Sequence, residues 1–151
     1  MRAGFDYGTS HCSIGLPTAD GVRLVPVEDD DVLIPSTLFA PRPADQLDDD
    51  QIVFTSEVLD GMRFGRRALE EYLLDPEHGY FVKSPKSFLG AEGLTEPIKD
   101  RFISVVAAMM ANVKRAADAA AGEPVTQVAF GRPINFQGAG GDAANQQALG
   151  M

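Results

Sequence analysis

A chain of 151 residues, 44% hydrophobic and 23% charged, has the composition of one ordinary globular domain with enough length to bury a core. Thirteen basic against 22 acidic residues leave a net charge of -9, which argues against a nucleic-acid binder and disfavours an anionic membrane surface. A single cysteine, Cys12, excludes an internal disulfide, and no apolar run approaches the length of a membrane span. Arg2 to Phe5 is short and apolar and reads as a strand, followed by a tight turn over Asp6-Tyr7-Gly8-Thr9-Ser10. Asp6 comes too early for a secretion signal, so a cytoplasmic setting is expected. Cys12 to Leu16 is a second strand, Asp20-Gly21 a hairpin signal, and Val22 to Val27 a third strand.

Glu28 to Asp31 reads as an acidic loop, with Asp29 to Asp31 solvated, and Leu33 to Phe39 as one extended segment, with Pro35 suited to an edge. Pro41 to Asp50 is expected to be a linker or subdomain crossing, and Ile52 to Phe54 a short strand. Arg66 to Leu74 is predicted helical, with Ala68, Leu69, Tyr72 and Leu73 on one face. A longer helix is predicted from Pro97 to Ala121, striped by Ile98, Phe102, Val105, Val106, Met109 and Val113 and stopped by Gly122 and Pro124. A strand follows over Val125 to Phe130. Asp142 is expected to cap a helix still running at Met151, so the chain is expected to be truncated.

Three segments offer chemistry. In Phe5 to Ser10, an apolar strand delivers Asp6 beside a glycine, and the N–H groups of Gly8, Thr9 and Ser10 can form an anion-binding concavity. A carboxylate there is tolerable beside phosphates only with a cation between them. The same residue types also make a plain hairpin turn, and the local pattern leaves both open. Lys86, among small residues in Lys83 to Gly90, can reach a phosphate or stand solvated. Gly138 to Ala143 matches a dinucleotide pattern only loosely, because Arg132 to Gln137 separate it from its strand. Cys12 reads as buried packing, and His11 and His78 are too far apart in sequence for the usual zinc spacing.

Several segments, taken together, resemble a known family. Gly4-Phe5-Asp6-Tyr7-Gly8-Thr9 resembles the first phosphate motif of the actin-like ATPases, especially the DnaK-type heat-shock 70 kDa chaperones. Ile34-Pro35-Ser36 resembles the family's segment at the crossing into its second subdomain, and Phe64 to Ala68, Ser84 to Gly90 and Val128 to Phe136 resemble further segments, in family order. "VKSPKSFLG" and "GRPINFQG" are similar to the YegD-type chaperone-like branch. The resemblance implies an α/β chain of ribonuclease-H-like, actin-like type, lobe I only. Residues 1–40 and 125–151 would form a first subdomain, and 41–124 an inserted α+β subdomain. It implies ATP and Mg2+ as cofactors. Gly8, Thr9, Ser10 and His11 would hold phosphates, Asp6 would orient waters on the metal, and Lys86 would act on the γ-phosphate across an open cleft. Unfolded clients or co-chaperones would be partners of the full-length protein. The family's second phosphate motif, catalytic glutamate and adenosine motif do not occur, so the chain alone is expected not to turn over ATP. Alternatives are another actin-like phosphotransferase such as a sugar kinase, a non-catalytic interaction module on the same fold, and, on Gly138 to Ala143 alone, a dinucleotide-dependent oxidoreductase.

Overall fold

The computed structural model describes residues 1–42, 58, 61–88 and 95–131. The segments predicted at Asp48 to Asp50, Ile52 to Phe54, Gly138 to Ala143 and beyond lie outside the described residues.

Strand β1 (Arg2–Tyr7) alternates strictly: Ala3, Phe5 and Tyr7 are buried, while Arg2, Gly4 and Asp6 are exposed. It pairs antiparallel with β2 (His11–Thr18), setting Phe5 against Ile14 and Tyr7 against Cys12. Asp6 stands near the end of the first strand and Gly8 in the turn after it, as expected, while Tyr7 belongs to the strand and not to the turn. The apolar alternation extends through Tyr7, and ladder pairing holds both residues extended. β3 (Gly21–Leu24) pairs with β2 so that Thr18 faces Gly21. The hairpin loop is thus Ala19-Asp20, one residue earlier than expected, and Gly21 opens β3 with φ +139°.

The extended segment around Pro35 is split between sheets. β4 (Ile34–Pro35) pairs with the start of β2, and β5 (Thr37–Pro41) joins a second sheet with β6 (Arg63–Phe64) and β7 (Gly79–Lys83). The change of sheet falls at Ser36, so residues 37–40, grouped with the first unit on sequence, pair in the second sheet. Helix α1 (Gly65–Leu74) lies by β5, with Ala68 fully buried and Tyr72 stacked on Phe81 at 4.7 Å. Leu69 and Leu73, expected on the packed face, are 43% and 70% exposed. The small Ala68 lets the helix approach closely, and this leaves the leucines on its flank.

Helix α2 (Glu96–Ala121) connects the second sheet to β8 (Gln127–Phe130), which pairs parallel with β1. A parallel pair needs such a crossover. The first sheet has the order β3-β2-β1-β8, with β4 on the side of β2, and the second β6-β5-β7. Val106, Met109, Val113 and Ala117 of α2 pack with Phe5, Tyr7, Cys12 and Ile14, whereas Val105 joins the cluster under the second sheet. The molecule is therefore mixed α/β. Among the described residues, no helix is long and apolar enough to cross a membrane.

Candidate functional site

The β1–β2 turn is closed by the Gly8 N–H, which donates to the His11 carbonyl at 3.0 Å. A β-carbon on Gly8 would lie 2.5 Å from that oxygen, so the turn admits only glycine there. Thr9, Ser10 and His11 are exposed. Asp6 is exposed on the sheet face opposite α2, and the end of β8 runs beside it, where the Gly131 N–H donates to the Phe5 carbonyl at 3.3 Å.

Lys86 arrives from the second sheet. β7 pairs with β5, setting Lys83 against Thr37, and the Ser84 N–H donates to the Ser36 carbonyl at 2.8 Å. Ser84 turns the chain with φ +55°, and a 3-10 turn (Pro85–Phe88) follows on the buried Pro85. The Lys86 ammonium donates to the Tyr7 carbonyl, 79 residues away, and lies 5.8 Å from the centre of the Tyr7 ring. Lys86 is thus on the turn's side of the molecule, but it touches the end of β1 directly instead of facing it across an open gap.

Ser36 sits at the junction of these parts and is 1% exposed. Its hydroxyl donates to the Gly8 carbonyl at 2.7 Å, and its N–H donates to the Ser10 carbonyl at 2.8 Å. The Cys12 sulfur is 3.2 Å from the same hydroxyl oxygen. Since the one hydroxyl proton of Ser36 goes to Gly8, the Cys12 thiol is the donor in that contact. Burial pushes the Cys12 thiol up to about 11, which keeps it protonated. Burial also raises Tyr7, with the Cys12 charge adding to the effect, and the Tyr7 hydroxyl has no hydrogen-bond partner among the described residues.

Asp29 and Asp30 are exposed, as expected, but Glu28 at the head of the acidic loop docks against α1. The Glu28 carboxylate is 8% exposed and accepts the N–H groups of Arg66 and Arg67 at 2.8 and 2.9 Å, capping α1 from outside the helix. Asp31 pairs with Arg66, and Asp29 pairs with Arg67 at 3.2 Å. The repulsion expected within a run of acids is relieved by the helix N-terminus and the two arginines. A cavity of about 430 Å³ opens beside this contact, lined by Val27, Glu28, Ile34, Met62, Arg63, Phe64, Arg67 and Asn112, and includes none of the residues of the β1–β2 turn.

Among the described residues, no group of three or more His, Cys, Asp or Glu is placed to cage a metal. A magnesium ion would not need such a cage. It keeps several waters and needs only one or two carboxylates besides substrate phosphates, and Asp6 offers one exposed carboxylate beside the turn. No family model matches the chain.

Proposed function

We propose that this chain is an ATP-binding part of a cytoplasmic, chaperone-like ATPase of the heat-shock 70 kDa type, built on an actin-like lobe I. The observation that carries the reading is the meeting of the Gly8 turn with Lys86, two segments from different sheets. A glycine-only turn with exposed residues after it suits an anion, and a lysine beside it suits the same anion. The β3-β2-β1-β8 order, with β8 returning parallel to β1 after a helix, supports the fold part of the reading.

In this reading Thr9, Ser10 and His11 hold phosphate oxygens through their backbone N–H groups. Asp6 orients waters of the magnesium ion, which supplies charge neutralisation when bound. Lys86 leaves the Tyr7 carbonyl for the γ-phosphate and stabilises charge that develops in transfer. The experiment is Lys86→Ala in a protein that contains this chain and hydrolyses ATP. We expect kcat to fall about 100–1,000-fold, as for loss of one preorganised donor, with the Kd for MgATP nearly unchanged. Equal loss of binding and turnover would reduce Lys86 to a binding residue. Unchanged kinetics would remove it from the site.

A further inference from the structure

We propose that Ser36 is the positioning residue of this site, fixing both the amides of the phosphate turn and the segment that carries Lys86. The inference rests on the nucleotide reading above and deepens it. Three backbone or side-chain groups of Ser36 are committed to three different partners. The hydroxyl holds the Gly8 carbonyl, the N–H holds the Ser10 carbonyl, and the carbonyl receives the Ser84 N–H. In a trans peptide the carbonyl and the next N–H point in opposite directions. Drawing Gly8 O and Ser10 O toward Ser36 therefore turns the N–H groups of Thr9 and His11 away from it. One buried residue thus orients two of the turn's amides. Through Ser84 it also fixes where the 3-10 turn bearing Lys86 begins.

Ser36 is also the residue at which the chain passes from β4 in one sheet to β5 in the other. Its backbone N–H and carbonyl join the turn to the Lys86 segment, and its hydroxyl, which alanine would remove, fixes the Gly8 end of that join. The Cys12 thiol braces that hydroxyl from the core side. Ser36 is buried, so it acts through the turn and not on a ligand directly.

The test is a titration of the isotopically labelled chain with MgATP, read by NMR at the Thr9 and His11 amides. The variants are Ser36→Ala, Ser36→Thr and Thr37→Ala. Thr37 makes a comparable buried bond, from its hydroxyl to the Gly65 carbonyl at 2.6 Å, and makes no bond to the turn. Wild type should show both amides moving with MgATP. In Ser36→Ala the midpoint should rise about tenfold, the equilibrium effect of one hydrogen bond at this depth. Ser36→Thr, which keeps the hydroxyl, should restore it. Thr37→Ala should lose thermal stability but titrate like wild type. A wild-type midpoint in Ser36→Ala, or an equal rise in Thr37→Ala, would overturn the positioning role while leaving the nucleotide reading in place. Amides that stay unmoved in wild type would overturn both.

Discussion

At Gly65 the backbone has φ +64°, and a β-carbon would lie 2.5 Å from the Glu28 Oε2 atom. Glu28 reaches that point because it caps the first N–H groups of α1. Gly65→Ala should therefore cost about 2–4 kcal/mol, combining a left-handed non-glycine residue with a displaced cap. Glu28→Gln keeps the acceptor but loses the charge at the helix N-terminus, and should cost about 1 kcal/mol. Urea midpoints of the two variants decide the order, and a Gly65→Ala midpoint equal to wild type would show that the Glu28 cap is dispensable. Cys12 gives a prediction in pH. Its thiol pKa rises from an ordinary 9.0 to about 11 in the folded state. The folded chain then keeps its proton where the unfolded chain loses it. The stabilisation is complete below pH 9 and is lost as pH rises toward 11, amounting to about 2–3 kcal/mol at the far end. Denaturation midpoints should fall between pH 9 and 11, less steeply in Cys12→Ala. A thiol reagent should label Cys12 slowly at pH 8 until the chain unfolds.

At the scale of elements, α2 is the part on which the two sheets depend. Val105 enters one core cluster, and Val106, Met109, Val113 and Ala117 enter the other. The helix closes on Gly122 in a left-handed cap, and the Asp118 carboxylate accepts the Val125 N–H at 2.7 Å just before β8. That bond and Lys114 hold the Asp118 carboxyl below its usual range, with Lys114 the larger cause. Met109 is fully buried, so Met109→Ala should cost about 2–5 kcal/mol. Because Met109 packs the crossover helix against the first sheet, hydrogen exchange should speed up at β1 and β2 more than at β5 and β7. Equal acceleration in both sheets would mean that they unfold as one unit. Much of this scaffold was legible in sequence. β1, β2 and α2 follow from apolar periods of two and of about 3.6, which are local. The break at Ser36 was indicated only by the resemblance of Ile34-Pro35-Ser36 to a family crossing, not by any local period, and the docking of Glu28 was not legible. Glu28 and Arg66 are 38 residues apart and Ser36 and Gly8 28 apart, and no local pattern announces either pair. The same limit applies to Leu69 and Leu73. Their spacing specifies a common face, but the neighbour that covers Ala68 decides which face is buried.

At the scale of the whole molecule, the described residues would meet the proposed phosphate from one wall only. The Gly8 turn and Lys86 meet at the end of β1, and Asp6 stands beside them on the exposed sheet face. The cavity of about 430 Å³ lies elsewhere, at the α1 docking contact, so it adds nothing to a purine pocket at the turn. Phosphoryl transfer needs a held metal, a positioned water and charge stabilisation around the transferred group. Apolar contact with the base supplies much of the affinity in most small-molecule sites. The 151-residue chain by itself should therefore bind MgATP no tighter than about millimolar, near -4 kcal/mol, and should release no phosphate above background. Calorimetry and a phosphate-release assay on the purified chain measure both. The MgATP-dependent shift expected at Thr9 and His11 should be weakened by Asp6→Ala, because in the proposed site the metal's waters would lose their orienting carboxylate. Sustained phosphate release that disappears in Asp6→Ala would mean that residues 1–151 hold a complete catalytic site. The groups expected on the far side of the phosphate would then have to come from this chain.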